Sequence, residues 1–311
     1  MTDQGSGSRL GLLQALLACA FWGVLPIYFK LLQSVPALEV VAHRIIWSVP
    51  LLLVILYFRK NLPGLRTSWA DPTVRRTLLT SALLISANWL IYVWAVQQDF
   101  ILAASLGYFI SPLISVFLAK LFLKEQLSRY QWIAVCIAAI GVSILAAEAW
   151  QTLWISLALA GSWGLYGLVR KIAVVGPIVG LTIETSYLFI PFLLFAGWIV
   201  FGSAPPDNSL RPDTMHFGDN MPTNILLLCS ALVTAVPLML FAAAVKKMKL
   251  STIGLLQYLA PTLQFVIGVF LYKEPLTTSH IICFVLIWIS LAIFSIDAIK
   301  RESARKAALA T

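Results

Sequence analysis

The sequence predicts an all-α integral membrane protein of ten transmembrane helices, arranged as two inverted five-helix repeats. Three observations carry this: apolar stretches recur along the 311 residues, basic residues gather on alternate loops, and the second half of the chain repeats features of the first. The chain is 60% hydrophobic and 11% charged, whereas an ordinary soluble domain is about a quarter charged. So much apolar surface needs lipid as its solvent, and backbone polar groups in lipid are satisfied only within helices or closed barrels.

Stretches of roughly 17 to 25 apolar residues match the hydrocarbon core of a bilayer. Bounded by charge, Pro or Gly, they run Leu10–Leu32, Leu38–Phe58, Thr77–Gln97, Leu102–Leu123 and Trp132–Ala149 in the first half. In the second they run Leu153–Val169, Ile178–Phe201, Asn224–Val245, Ser251–Tyr272 and Ser279–Ile299. The repeats are therefore expected over 10–149 and 153–299, with tails at 1–9 and 300–311. The first run has no cleavage site after it and reads as a retained helix.

The net charge of +9 does not indicate nucleic acid, because the bases lie in short clusters between apolar runs. Cytoplasmic loops carry the excess of Lys and Arg. With both termini inside, Arg9, the Arg59 to Arg76 cluster, Lys120, Lys124, Arg129, Arg170, Lys171, Lys246, Lys247, Lys249 and the bases from Lys300 onward all fall on the cytoplasmic side. Only Lys30, Arg211 and Lys273 fall outside, with Arg44 inside the second span. A missing span would throw every later cluster to the wrong side. The long outer loop, Gly202 to Thr223, is too rich in Pro, Asp, Asn and Ser to fold alone. The cysteines, Cys19, Cys136, Cys229 and Cys283, fall inside apolar runs without metal or disulfide spacing, and neither a metal nor a cofactor is expected.

The run SALLISANWLIYVWAV from Ser81 aligns with SALVTAVPLMLFAAAV from Ser230 at an offset of 149 residues. The same register sets Pro112 on Pro261, Lys124 on Lys273 and Glu125 on Glu274. A second match, at offset 141, sets FWGVLPIYFK from Phe21 on SWGLYGLVRK from Ser162. Because each unit has five spans, an odd number, the copies cross the bilayer in opposite directions. Inverted repeats of this kind characterise many secondary transporters, whose solute sites lie near the midplane between the halves.

Polar groups inside the spans nominate the path. Ser105, Tyr108, Pro112 and Ser115 form one stripe of the fourth span, matched in the ninth by Gly254, Gln257, Pro261 and Gln264. Asn88 and Tyr92 in the third span, Trp22 in the first and Tyr258 in the ninth complete the candidate substrate path, and Asn88 also reads as interhelical glue. Pro26, Pro112, Pro237 and Pro261 are expected to distort their helices. Charged groups at membrane depth are costly, about 2.5 to 3.5 kcal/mol each on insertion scales, and usually face a partner or water. Lys30 with Glu39 at one membrane face and Arg170 or Lys171 with Glu184 at the other are candidate ion-pair gates. His43 and Arg44 complete this set, His43 because an imidazole titrates near neutral pH.

The motifs WGxxPxYFK, EVVAHRIIWS, NWLIYVWAV, LAASLGYFISPL, YGLVRK, IET and LSTIGLLQYLAPTLQF resemble the RarD branch of the EamA, or drug/metabolite, transporters, from about Arg9 to Lys300. The resemblance implies a ten-helix fold in the bacterial cytoplasmic membrane, with spans three, four, eight and nine around a central cavity. It also implies a secondary transporter or exporter of small organic solutes such as metabolites, amino-acid-like molecules or amphipathic drugs, with chloramphenicol sensitivity associated by name. The partners expected are lipid and a small solute. A membrane-embedded enzyme lacks any HExxH, GxSxG or paired-aspartate motif here; a non-transporting scaffold is the other alternative.

Overall fold

A computed structural model describes residues 3–97, 100–148, 150–201, 216–273 and 277–310. Among them there are thirteen α-helices, one 3-10 turn and one π-helical turn, and no strand. The first half comprises α1 (Asp3–Leu31), α2 (Ala37–Ile46), α3 (Ser48–Phe58), α4 (Leu62–Ala70), α5 (Pro72–Gln97), α6 (Ile101–Phe122) and α7 (Arg129–Glu148). The second comprises α8 (Leu153–Ile172), α9 (Pro177–Phe201), α10 (Met221–Lys247), α11 (Leu250–Leu256), α12 (Leu259–Val266) and α13 (Thr278–Ala310). Nine helical stretches of described residues are long and apolar enough to cross a bilayer, and the apolar part of α6, Leu106–Phe122, supplies the tenth. Large apolar side chains such as Phe58, Leu194 and Phe270, all more than half exposed, would be untenable in water. They face lipid.

Packing between the halves is paired as a two-fold operation demands. The first span meets the eighth (α1 with α10) as the sixth meets the third (α8 with α5), and α1 meets α12 as α8 meets α6. Likewise α2 meets α10 as α9 meets α5, while α7 and α13 pack on each other. The duplication extends to single contacts. A Cβ on Gly23 would lie 2.6 Å from Leu263, and one on Gly164 would lie 2.7 Å from Ile114; the two glycines correspond at offset 141, and the two side chains at offset 149. Lys124 and Lys273 both turn the chain at positive φ, 53° and 54°. The ten spans are thus two inverted five-helix repeats.

The structure adds detail to the sequence reading and departs from it in several places. The second span is broken at Trp47, because Pro50 has no N–H for the Ile46 carbonyl and its ring crowds that group. The ninth is broken at Gln257 and Tyr258, four and three residues before Pro261. Pro26, Pro112 and Pro237, by contrast, lie inside uninterrupted helices. The basic loop after the second span contains α4, whose Trp69 stacks on Tyr187 at 5.2 Å. The third span begins at Pro72, where Asp71 Oδ1 accepts from Thr73 N at 2.8 Å. At the C-terminus α13 carries its helix to Ala310, so most of the expected tail is helical, as are residues 3–9 of the N-terminal one. Residues 202–215 of the long loop, Ala149 at the first repeat's end and Glu274 of the repeat match lie outside the described residues.

Candidate functional site

Trp22 and Trp163 occupy equivalent places in the first and sixth spans, and they touch. Their rings meet edge-on at 5.1 Å, with Phe241 against both at 5.5 and 5.4 Å. A residue touches its own repeat-mate only on the two-fold axis, so this pair marks the centre of the molecule. Two amides from the ninth span serve it. Trp163 Nε1 donates to Gln257 Oε1 at 2.8 Å, and Gln264 Nε2 donates to the Trp22 carbonyl at 2.9 Å. The break at Gln257 turns this side chain inward, where it is buried and its Nε2 has no hydrogen-bond partner among the described residues.

Beside the axis lies a second constellation, built on Arg44. Its Nε donates to Thr234 Oγ1 at 2.8 Å, and its guanidinium lies 5.1 Å from the Trp89 ring and 5.7 Å from Phe29. Tyr28, Tyr92 and Tyr108 stand within its electrostatic reach. The rings of Tyr92 and Tyr108 are 5.9 Å apart, and Tyr108 keeps 37% of its surface open despite these neighbours. Five spans contribute to this recess: α1, α2, α5, α6 and α10.

The profile of the EamA-like transporter family matches residues 9–147 and again residues 150–296. The chain belongs to the EamA-like transporter family. Within it the chain falls in the RarD branch: Protein RarD of Escherichia coli is 41% identical over 293 residues, covering 94% of this chain and 96% of that protein. An "Uncharacterized transporter" of Vibrio cholerae is 38% identical over 308 residues and 99% of each chain. A solved crystal structure with 17% identity superposes with a TM-score of 0.70 over 96% of this chain and 99% of the other, which shows the fold.

In this EamA chain the charged residues singled out from sequence form two clusters, with three bases standing apart from both. Arg170 Nη1 meets Glu184 Oε1 at 3.3 Å, and Ser81 Oγ donates to the same carboxylate oxygen, joining the third span to the seventh. Arg170 Nη2 also donates to the Pro177 carbonyl at 3.2 Å. Lys171 does not join this pair; its Nζ donates to the Met248 carbonyl at 2.5 Å. Glu39 accepts from the backbone of His216 and Phe217 at 2.7 and 3.2 Å and faces both His216 and His43. Lys30 stands over the Tyr272 ring at 5.6 Å instead of beside Glu39. Arg44 forms no ion pair with any described carboxylate.

Of the nominated path residues, Trp22, Tyr92, Tyr108, Gln257 and Gln264 line the axis or the Arg44 recess. Asn88 Nδ2 donates to Leu159 O at 2.9 Å and Ser162 Oγ at 3.0 Å, which ties the third span to the sixth. Ser115 is buried where α6 meets Gly254 of α11, and Tyr258 is buried among Leu106, Phe109 and Cys283. The side chain of Ser105 lies outside the described residues. Trp89, Trp163, Thr234, Tyr28 and Phe29 were not among the nominated residues. Trp163 carried a signal, its match to Trp22 in the repeat; the others are assembled by contacts between distant spans.

Proposed function

We propose that this chain is a secondary transporter of the bacterial cytoplasmic membrane that moves small organic solutes, with the face bearing the Lys and Arg clusters in the cytoplasm. The observation that carries the reading is the contact of Trp22 with Trp163 on the two-fold axis, between halves whose interhelical contacts come in matched pairs. Two such halves have two equivalent ways to pack, one opening each side of the membrane around a fixed centre. The amides of Gln257 and Gln264 and the ring faces beside them suit a solute with apolar and polar ends, such as an amphipathic metabolite or drug. Membership of a transporter family and relatives named as transporters support the same reading.

The test is counterflow in proteoliposomes holding the purified protein, with a panel of amino acids, aromatic metabolites and chloramphenicol. Transport predicts accumulation of at least one labelled solute above protein-free vesicles, and loss of it in Gln257→Ala. No movement of any solute, together with a stably copurifying partner, would favour a scaffold instead.

A further inference from the structure

Among the described residues, Arg44 is a base at membrane depth with no acid of its own. Its place in α2 is about 10 Å in from the helix start at 1.5 Å per residue, where an unpaired cation is costly. Four described acids of the spans and their ends are engaged elsewhere. Glu39, one turn away, is held by His216 and Phe217. Glu184 is held by Arg170 and Ser81, Glu125 by the backbone of Leu250 and Ser251, and Asp297 by Arg301. What Arg44 has instead is one neutral hydroxyl, Thr234 Oγ1, on Nε and aromatic faces on its flanks. Nη1 and Nη2 have no hydrogen-bond partner among the described residues. These nitrogens are the edge of a guanidinium that matches a carboxylate with two parallel N–H bonds.

We propose that Arg44 is the anion-recognition point of the transport path. Its free η nitrogens take the carboxylate of an organic monoanion whose aromatic or apolar body lies against Trp89, Phe29, Tyr92 and Tyr108. A single guanidinium with no second described Lys or Arg beside it fits one negative charge better than a phosphate dianion. The rings exclude water from the pair and strengthen it, while Thr234 fixes the fork by holding Nε. Arg44 has a structural role as well, since it links α2 to α10 and to the Trp89 face of α5. A purely structural arginine would not distinguish a carboxylate from its neutral amide. This inference rests on the transport reading but names a site that binding alone can test.

The experiment is isothermal titration calorimetry on the purified full-length protein in detergent. The probes are phenylacetate, 4-phenylbutyrate and indole-3-acetate, each paired with its primary amide. The site predicts that carboxylates bind at least about tenfold more tightly than their amides, the scale of a charge-assisted bidentate contact. Arg44→Gln is expected to abolish that preference and Arg44→Lys to weaken it, since an ammonium keeps the charge but not the fork. The wild-type comparison of acid with amide needs no variant, so a misfolded Arg44→Gln does not blunt the test. Equal affinity for acid and amide, no binding of any carboxylate at millimolar concentration, or an intact preference in folded Arg44→Gln would each overturn the proposal. Carboxylate binding without movement into vesicles would sink the transport reading and leave the site standing. Transport of neutral solutes with no acid preference would do the reverse.

Discussion

Arg170 is fully buried, and it is accommodated because residue 180 has no side chain. A Cβ there would stand 2.2 Å from Arg170 Nη1, which is pinned by Glu184 and cannot swing aside freely. Removing the base strands a buried carboxylate, so Arg170→Ala is expected to cost about 3 to 5 kcal/mol, read as a lowered melting temperature in detergent. Gly180→Ala should cost about 1 to 3 kcal/mol by crowding, and most of that cost should vanish in the Arg170→Ala background. Additive costs would show that the two do not share one space. On the axis, Trp163→Phe keeps the ring contacts but leaves Gln257 Oε1 without its donor, a loss of about 1 to 3 kcal/mol by the same measurement. The acid and base of the Arg170 and Glu184 pair were legible in sequence, because charges at membrane depth are rare and expensive. Ser81 and Gly180 were not, since a serine and a glycine in an apolar span have many uses and only the fold brings them to the pair.

At the level of elements, α6 of one repeat packs closely against α11 of the other. A Cβ on Gly254 would meet Ser115 Cβ at 2.9 Å and the Pro112 carbonyl at 3.0 Å. Backbone cannot rotate out of the way, so Gly254→Ala should push the fourth and ninth spans apart, at about 1 to 3 kcal/mol in thermal stability. Ser115→Gly should recover only part of it, because the carbonyl remains. Full recovery by Ser115→Gly would mean that the backbone contact is loose. The ten spans were legible because lipid imposes a length and a composition on each. The break before Pro261 was signalled by its proline, but the one before Pro50 was not singled out, since proline gives the same local signal everywhere. Pro50 and Pro261 stand next to real interruptions, while Pro26, Pro112 and Pro237 sit in continuous helices whose neighbours tolerate the missing bond. The helix α4 was missed because its nine residues are too short to announce themselves by periodicity, and it depends on Trp69 reaching Tyr187.

For the whole molecule, the halves are tied at the basic face by Glu125, which accepts from Leu250 N at 2.8 Å, Ser251 N at 3.1 Å and Ser251 Oγ at 2.5 Å. This carboxylate at the foot of the fourth span caps the start of the ninth, where free N–H groups and the helix dipole favour an anion. Glu125→Ala is therefore expected to speed hydrogen exchange at Leu250 and Ser251 by about tenfold, with protection at Arg170 and Glu184 little changed; unchanged exchange at Leu250 and Ser251 would remove Glu125 as a tie. The duplication that makes such a tie meaningful was visible in sequence through Lys124 and Lys273, and the shared positive φ of those two residues is its backbone counterpart. The Arg44 recess was not visible, because its parts come from five spans that no linear pattern relates. The antiparallel relation of the two halves is tested most directly by labelling single-cysteine variants Lys124→Cys and Lys273→Cys, in a background lacking the native cysteines, with a membrane-impermeant maleimide. The account predicts that Lys273→Cys reacts in intact cells and Lys124→Cys only after the membrane is opened; reaction of both from the same side would contradict it.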